Sequence, residues 1–261
     1  MQWFIILLLA SFSVNSAFAC DAIPNSYKEG ATFYVWVANL NLRQQPSPSA
    51  PVIKKLIYGT PVEILKQDEK PVPYKLPFFS YKDTAAAIPK DGIQNQVVLD
   101  GEWIKVKTAQ QEEGYIINKL LLDIEPMKFT EGVTDYFVRV FQLTKHEKKT
   151  IKQKDKECPN HVDNIAYETF TSNINKVLLK TEENKDAYCG GYYTSNTKIS
   201  IPEFSFEKAF VFFNKIMPPE INDFEYKADE LFSYALDQVP NEVILKKAEC
   251  GVDFEWSNNS D

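Results

Sequence analysis

Histidine is nearly absent from this chain. His146 and His161 are the only two in 261 residues. That scarcity removes whole classes of chemistry. Zinc hydrolases draw two or three ligands from local motifs, often paired histidines. Two histidines with no HExxH-like spacing do not supply them. A Cys–His nucleophile pair wants a cysteine at a helix start and a histidine following it in the chain. Both histidines precede Cys189. Cys158 and His161 are close in sequence, but "ECPNHVD" reads as a loop.

Positive charge is not concentrated either. Basic and acidic residues nearly balance over 31–123, and acids exceed bases by seven over 124–261. A nucleic-acid surface needs a dense basic patch, so no nucleic-acid partner is expected. No Gly-rich phosphate loop or other cofactor motif is found. Carboxylates such as Glu203, Glu207, Asp229 and Glu230 are plentiful, yet nothing singles out a glycosidase-like pair. The sequence therefore predicts no catalytic residue, no metal site and no cofactor.

Long apolar runs are missing except at the start. "MQWFIILLLASFSVNSAFA" carries one from Trp3 to Ala10, too short for the roughly 20 residues of a membrane span. It ends in Ala17-Phe18-Ala19, with small residues where a signal peptidase reads. No Lys or Arg precedes the run. The expectation is a signal peptide over 1–19 and a periplasmic or secreted protein. Cys20 follows directly, which raises lipidation, although Ala17 and Phe18 fit a lipobox poorly. A membrane is expected as a partner only if Cys20 carries a lipid. The other cysteines are Cys158, Cys189 and Cys250. Export permits disulfides, and a Cys189–Cys250 bridge is the favoured pairing among those the four allow.

Aromatics are abundant, with 18 Phe and 13 Tyr. After a leader over 20–32, period-2 signals begin. "TFYVWVANLNL", "VIKKLI", "PVEIL", "GEWIKVKT" and "EGYIINKLLL" read as short strands joined by turns. Five short strands in about 90 residues suggest a small barrel or sandwich. Residues 67–100 interrupt the pattern. Pro71, Pro73, Pro77 and Pro89 argue against central strands, while Tyr74, Phe78, Phe79 and Tyr81 argue against simple disorder.

Several of these residues fall in a recognisable order. Val37-Ala38 leads into Leu40-Asn41-Leu42-Arg43 and Pro46-Ser47-Pro48-Ser49. Val52-Ile53, Leu56, Gly59-Thr60, Val62 and Ile64 follow. The pattern resumes at Gly101-Glu102-Trp103-Ile104-Lys105-Val106 and closes at Gly114-Tyr115-Ile116 and Leu120-Leu121. Over 33–123 the chain resembles a bacterial SH3-like domain of the cell-envelope type, with the segment 67–100 as a long insertion. Leu40 and Leu42 share a face and can fill its core. Gly59 and Gly114 supply turns that need positive φ. Asn41 and Arg43 share the opposite face and can orient the loop after them.

The resemblance implies binding rather than catalysis. Such domains target exported proteins to peptidoglycan or to peptide and protein ligands. An aromatic groove suits peptide stems or Pro-rich segments. Candidate contacts are Tyr34, Trp36, Arg43, Tyr58, Trp103 and Tyr115, with Tyr74, Phe78, Phe79 and Tyr81 from the insertion. For Trp103 and Tyr115, packing of the barrel is the preferred role over ligand contact, and for Arg43 a solvated surface cation is the competing role.

Residues 124–261 read as an α+β domain of unknown role. "DYFVRVFQL" reads as a strand, with a helix as alternative. "TKHEKKTIKQKDKE" reads as a charged connector whose six lysines over Lys145–Lys156 suggest a solvated hairpin tip, with anionic envelope polymers as the functional alternative. "DAYCGGYYTSNTKISI" and "NEVILKKAECGVDFEW" have strand character. Helical spacing marks "SFEKAFVFFNKIM" and "DFEYKADELFSYALDQV". No internal repeat is evident. The whole is expected to be mainly β or α+β. The leading function is an exported, non-enzymatic binding protein of the envelope. The alternatives are a cell-wall hydrolase targeted by the SH3-like domain, or an inhibitor or immunity-type protein.

Overall fold

A computed structural model describes residues 27–67, 70–79, 96–154, 162–184, 193–216, 221–227, 231–236 and 241–260. The chain is mostly β, in two antiparallel sheets of eight strands each.

The first sheet is built from β1 (Thr32–Val35), β2 (Asn39–Arg43), β3 (Val52–Ile57), β4 (Pro61–Ile64), β5 (Val72–Phe79), β6 (Gln96–Thr108), β7 (Glu113–Ile117) and β8 (Leu121–Leu122). A 3-10 turn, Asn118–Leu120, joins β7 to β8. The order is β3-β2-β7-β6-β4-β1-β8, with β5 added on β6. Strand alternation turns Phe33, Val35, Leu40, Leu42, Val62, Ile64, Ile104 and Val106 into one core. Most of their neighbours along each strand stay outside it, Trp103 beside Ile104 being an exception.

The two turn glycines differ in their reasons. Gly59 has φ +81°, a conformation glycine adopts without cost. Gly114 does not belong to the positive-φ set. A Cβ there would meet the Arg43 carbonyl oxygen at 2.7 Å and Leu42 Cδ1 at 2.8 Å. Its requirement is close approach between β7 and β2, not turn geometry.

The insertion is partly sheet. β5 pairs with β6 from Val72↔Trp103 to Phe79↔Gln96. Pro73 and Pro77 sit in β5, which pairs with β6 alone, and an edge strand tolerates residues lacking an N–H. β6 is long because it serves two cores. Ile104 and Val106 fill the first. Val97 and Leu99 enter a second core formed with residues beyond 122.

That second core lies under the other sheet. The elements are α1 (Val133–Val140), β9 (Lys145–Lys154), β10 (Val162–Thr171), β11 (Leu178–Asn184) and β12 (Tyr193–Ile201). They continue with α2 (Phe206–Ile216), β13 (Ile221–Lys227), β14 (Leu231–Leu236), β15 (Asn241–Lys247) and β16 (Val252–Ser260). The strand order is β13-β14-β15-β16-β12-β11-β10-β9. A helix followed by a four-stranded meander therefore occurs twice. The last strands of the two meanders, β12 and β16, pair antiparallel at the centre. This repeat is one of element order. It is carried by topology, which the residue pattern does not display.

"DYFVRVFQL" forms a helix rather than a strand. Val133, Tyr136, Phe137 and Val140 share one face at helical spacing. α2 forms where helical spacing predicted it, but Phe212 is buried as well as Phe206, Ala209, Phe210 and Phe213. A helix covered on more than one side buries more than a single stripe. Phe213 stacks on Phe254 of β16, 3.6 Å between ring centroids, and Phe212 lies 4.9 Å from Trp36 of the first unit. The predicted helix over "DFEYKADELFSYALDQV" is instead the β13–β14 hairpin. Phe224↔Tyr234 and Tyr226↔Phe232 are partners in its antiparallel register. The charged connector is strand β9, an outer strand whose lysines guard the edge against pairing with other chains.

Cys250 lies before β16 and is disulfide-bonded. Cys20, Cys158 and Cys189 fall outside the described residues, as do the signal peptide and Tyr81.

Candidate functional site

The six aromatic and basic residues proposed from the sequence do not form one groove. The structure divides them between two faces of the first sheet.

Trp36 and Tyr58 face the second unit. Trp36 is 1% exposed. Its indole Nε1 donates to the Ile124 carbonyl at 3.3 Å, and its ring lies edge-on to Tyr58 at 5.5 Å. The Tyr58 hydroxyl accepts from the Met127 amide at 3.1 Å, and Lys215 Nζ sits 4.8 Å above its ring. Burial pushes the Tyr58 phenol above its ordinary value, against the lowering hydrogen bond from Met127. Tyr34 is half-buried against the same core. Around it, Lys119 pairs with Glu207, and Lys208 pairs with Asp123 at 2.8 Å. Trp36, Tyr58 and Tyr34 thus pack towards the second unit, away from the Trp103 groove. The sequence signal for an aromatic binding face and for an aromatic interface is the same.

Arg43, Trp103 and Tyr115 lie elsewhere, and there Tyr74 of the insertion joins them. Trp103 sits on β6 where β5 and β7 flank it, opposite Val72 and Ile117. It is 8% exposed and meets Tyr74 edge-on at 5.6 Å. On one side is a cavity of about 150 Å³, walled by Asn39, Asn41, Arg43, Pro48, Tyr74 and Leu76. On the other is a smaller one of about 40 Å³ that includes Pro46, Lys70, Glu102 and Tyr115. Trp103 lines both.

β2 alternation explains the polar wall: Leu40 and Leu42 point into the core, so Asn39, Asn41 and Arg43 point out. Arg43 Nη1 donates to the Ala50 carbonyl at 2.6 Å, which ties the Pro/Ser-rich loop to the strand. Gln67 lines the smaller cavity and mimics a strand: its Oε1 accepts from the Lys105 amide at 2.8 Å, and its Nε2 donates to the Lys105 carbonyl at 3.1 Å. A guanidinium, two amides and two aromatic rings around a shallow groove can hold a peptide with carbonyl and carboxylate groups.

Sequence reasoning missed Gln67, Lys70 and Leu76. The missing signal was the hairpin itself, since only the β5–β6 register brings the insertion beside Trp103. Phe78 and Phe79 end β5, beyond the groove in sequence. Among the described residues, no three His, Cys, Asp or Glu side chains gather as metal ligands, and no helix is long and apolar enough to cross a membrane.

A comparison with curated proteins finds no match. Against family models, residues 38–121 match the bacterial SH3 domain, and this part of the chain is a bacterial SH3-like domain.

Proposed function

We propose that the protein is an exported, non-enzymatic binding protein of the bacterial cell envelope. Its SH3-like domain recognises a peptide, either the stem peptide of peptidoglycan or an extended segment of an envelope protein. The observation that carries this reading is the groove around Trp103. It combines an aromatic floor, the Arg43 guanidinium and the outward amides of Asn39 and Asn41. The family match adds a cell-wall binding theme. The insertion supplies Tyr74 and Leu76 as one wall.

Pelleting with purified peptidoglycan tests the proposal. The full mature chain should co-sediment, and Tyr74→Ala should release it at least tenfold more readily. Arg43→Ala should do the same, with its thermal midpoint checked because Arg43 also anchors Ala50. Pelleting unchanged in both variants would overturn the assignment of the groove. No pelleting and no peptide binding by the parent would overturn the function.

A further inference from the structure

The second sheet has one face packed on α1 and α2 and one face turned away from them. The row Phe170, Leu179, Ile199, Phe254 and Leu245 faces the helices. The adjacent row, Lys180, Lys198, Glu255 and Ile244, faces away, as does the next, Tyr167, Glu182, Asn196 and Ser257. A concavity of about 550 Å³ opens on this second face, astride the β12–β16 pair that joins the two repeats. That volume is in the range of ligand sites.

The chemistry of the wall narrows the occupant. Two of its charges, Lys198 and Glu255, are already matched. Lys198 Nζ lies 2.7 Å from Asp253 and 2.9 Å from Glu255, and Lys246 lies 3.1 Å from Glu255. Ser200 Oγ donates to Asp253 at 2.7 Å. Burial works against ionisation of Asp253, yet Lys198 and Ser200 outweigh it and hold the carboxyl below its usual value. The lining carries Lys180 and Lys198 against Glu182 and Glu255, so it attracts neither anions nor cations strongly. Among the described lining residues, the large apolar side chains facing in are Tyr167 and Ile244, too few for a lipid. The floor is strand backbone at Thr181, Thr197 and Trp256, already used in the ladders. An extended peptide therefore has no backbone edge here to pair with. What remains is a set of side-chain donors and acceptors beside one aromatic ring.

We infer that this face is a second binding site, independent of the Trp103 groove, and that it takes a neutral, hydroxyl-rich ligand: an oligosaccharide. Tyr167 offers its ring to a sugar face, and Asn196, Lys180 and Glu182 exchange hydrogen bonds with hydroxyl or acetamido groups. Non-charged recognition by such groups needs no net field, which matches the balanced wall.

The test is calorimetric titration of the full mature chain. The probes are tetramers of β-1,4-N-acetylglucosamine, β-1,4-glucose and α-1,4-glucose, and peptidoglycan glycan strands freed of their peptides. At least one should bind saturably. Tyr167→Ala and Asn196→Ala should each weaken it tenfold or more with unchanged thermal midpoints, while Tyr74→Ala leaves it intact. No saturable binding of any glycan would overturn the inference. So would binding indifferent to both sheet variants, or a stem peptide competing at this face. Because Tyr74→Ala alters only the Trp103 groove and the sheet variants alter only this face, failure here is distinguishable from failure of the proposed function.

Discussion

Trp36→Ala separates the two roles that its sequence position permits. The side chain is fully enclosed, lies 4.9 Å from Phe212 by ring centroid, and bonds the Ile124 carbonyl. Truncating a buried tryptophan to alanine costs about 3–5 kcal/mol. In a chain of this size, 1 kcal/mol moves the thermal midpoint by about 2–4 °C, so the expected loss is roughly 6–20 °C. Trp36→Phe keeps most of the ring and forfeits the indole N–H, leaving the Ile124 carbonyl short of a partner. That loss is about 1–2 kcal/mol. Differential scanning calorimetry measures both, and pelleting of the folded Trp36→Phe variant measures binding. The structure predicts a graded loss of stability with peptide or wall binding unchanged. A Trp36→Phe protein with a parental midpoint and abolished binding would refute the placement of Trp36 between the units.

Three further outcomes follow from local geometry. The Glu131 carboxylate receives Arg139 Nε at 2.8 Å and Nη2 at 2.9 Å, and Arg139 holds its pKa at about 2, below the ordinary 4.5. A depressed carboxyl contributes stability above pH 4.5 that is lost as pH falls towards 2. The stability gap between parent and Glu131→Gln should therefore narrow across that window in acid denaturation; a constant gap contradicts it. Gly251 has φ +80°, and a Cβ would sit 2.1 Å from the Ile201 carbonyl oxygen. Gly251→Ala should cost roughly 2–6 kcal/mol from strain and overpacking, read by urea unfolding, and a neutral variant would refute the geometry. Non-reducing peptide mapping should join Cys250 to Cys189, and reduction should lower stability by about 2–4 kcal/mol; a Cys250 peptide linked to Cys158 or Cys20 would overturn that pairing.

Much of the first sheet was legible because its strands obey period 2. Leu40 and Leu42, or Ile104 and Val106, declare an inner face whatever surrounds them. Val97 and Leu99 did not, because the core they enter belongs to another part of the chain. The same limit explains Trp36 and Tyr58. An aromatic that leaves the core of its own sheet reads as available for ligand, and only the presence of α2 shows that it is covered. In the second unit, spacing found α2 but misread residues 223–239. Leu231, Phe232, Ala235 and Leu236 fit a helical stripe, while Phe224, Tyr226, Phe232 and Tyr234 also fit period-2 strands, and the antiparallel register joins them as sheet. Of the candidate site, Arg43, Trp103 and Tyr115 were readable from the SH3-like pattern. Leu76 was not, since a hairpin register places it, and Gln67 was not, since its side-chain bonds to Lys105 place it.

The central claim is that ligand enters the groove between Arg43, Tyr74 and Trp103. Amide and indole chemical-shift mapping with a soluble stem-peptide muropeptide tests it most directly. The account predicts saturable shifts at Asn41, Arg43, Tyr74 and the Trp103 indole, with the Trp36 indole unmoved. Saturable shifts centred on Trp36 and Tyr58, with the Trp103 indole silent, would contradict it.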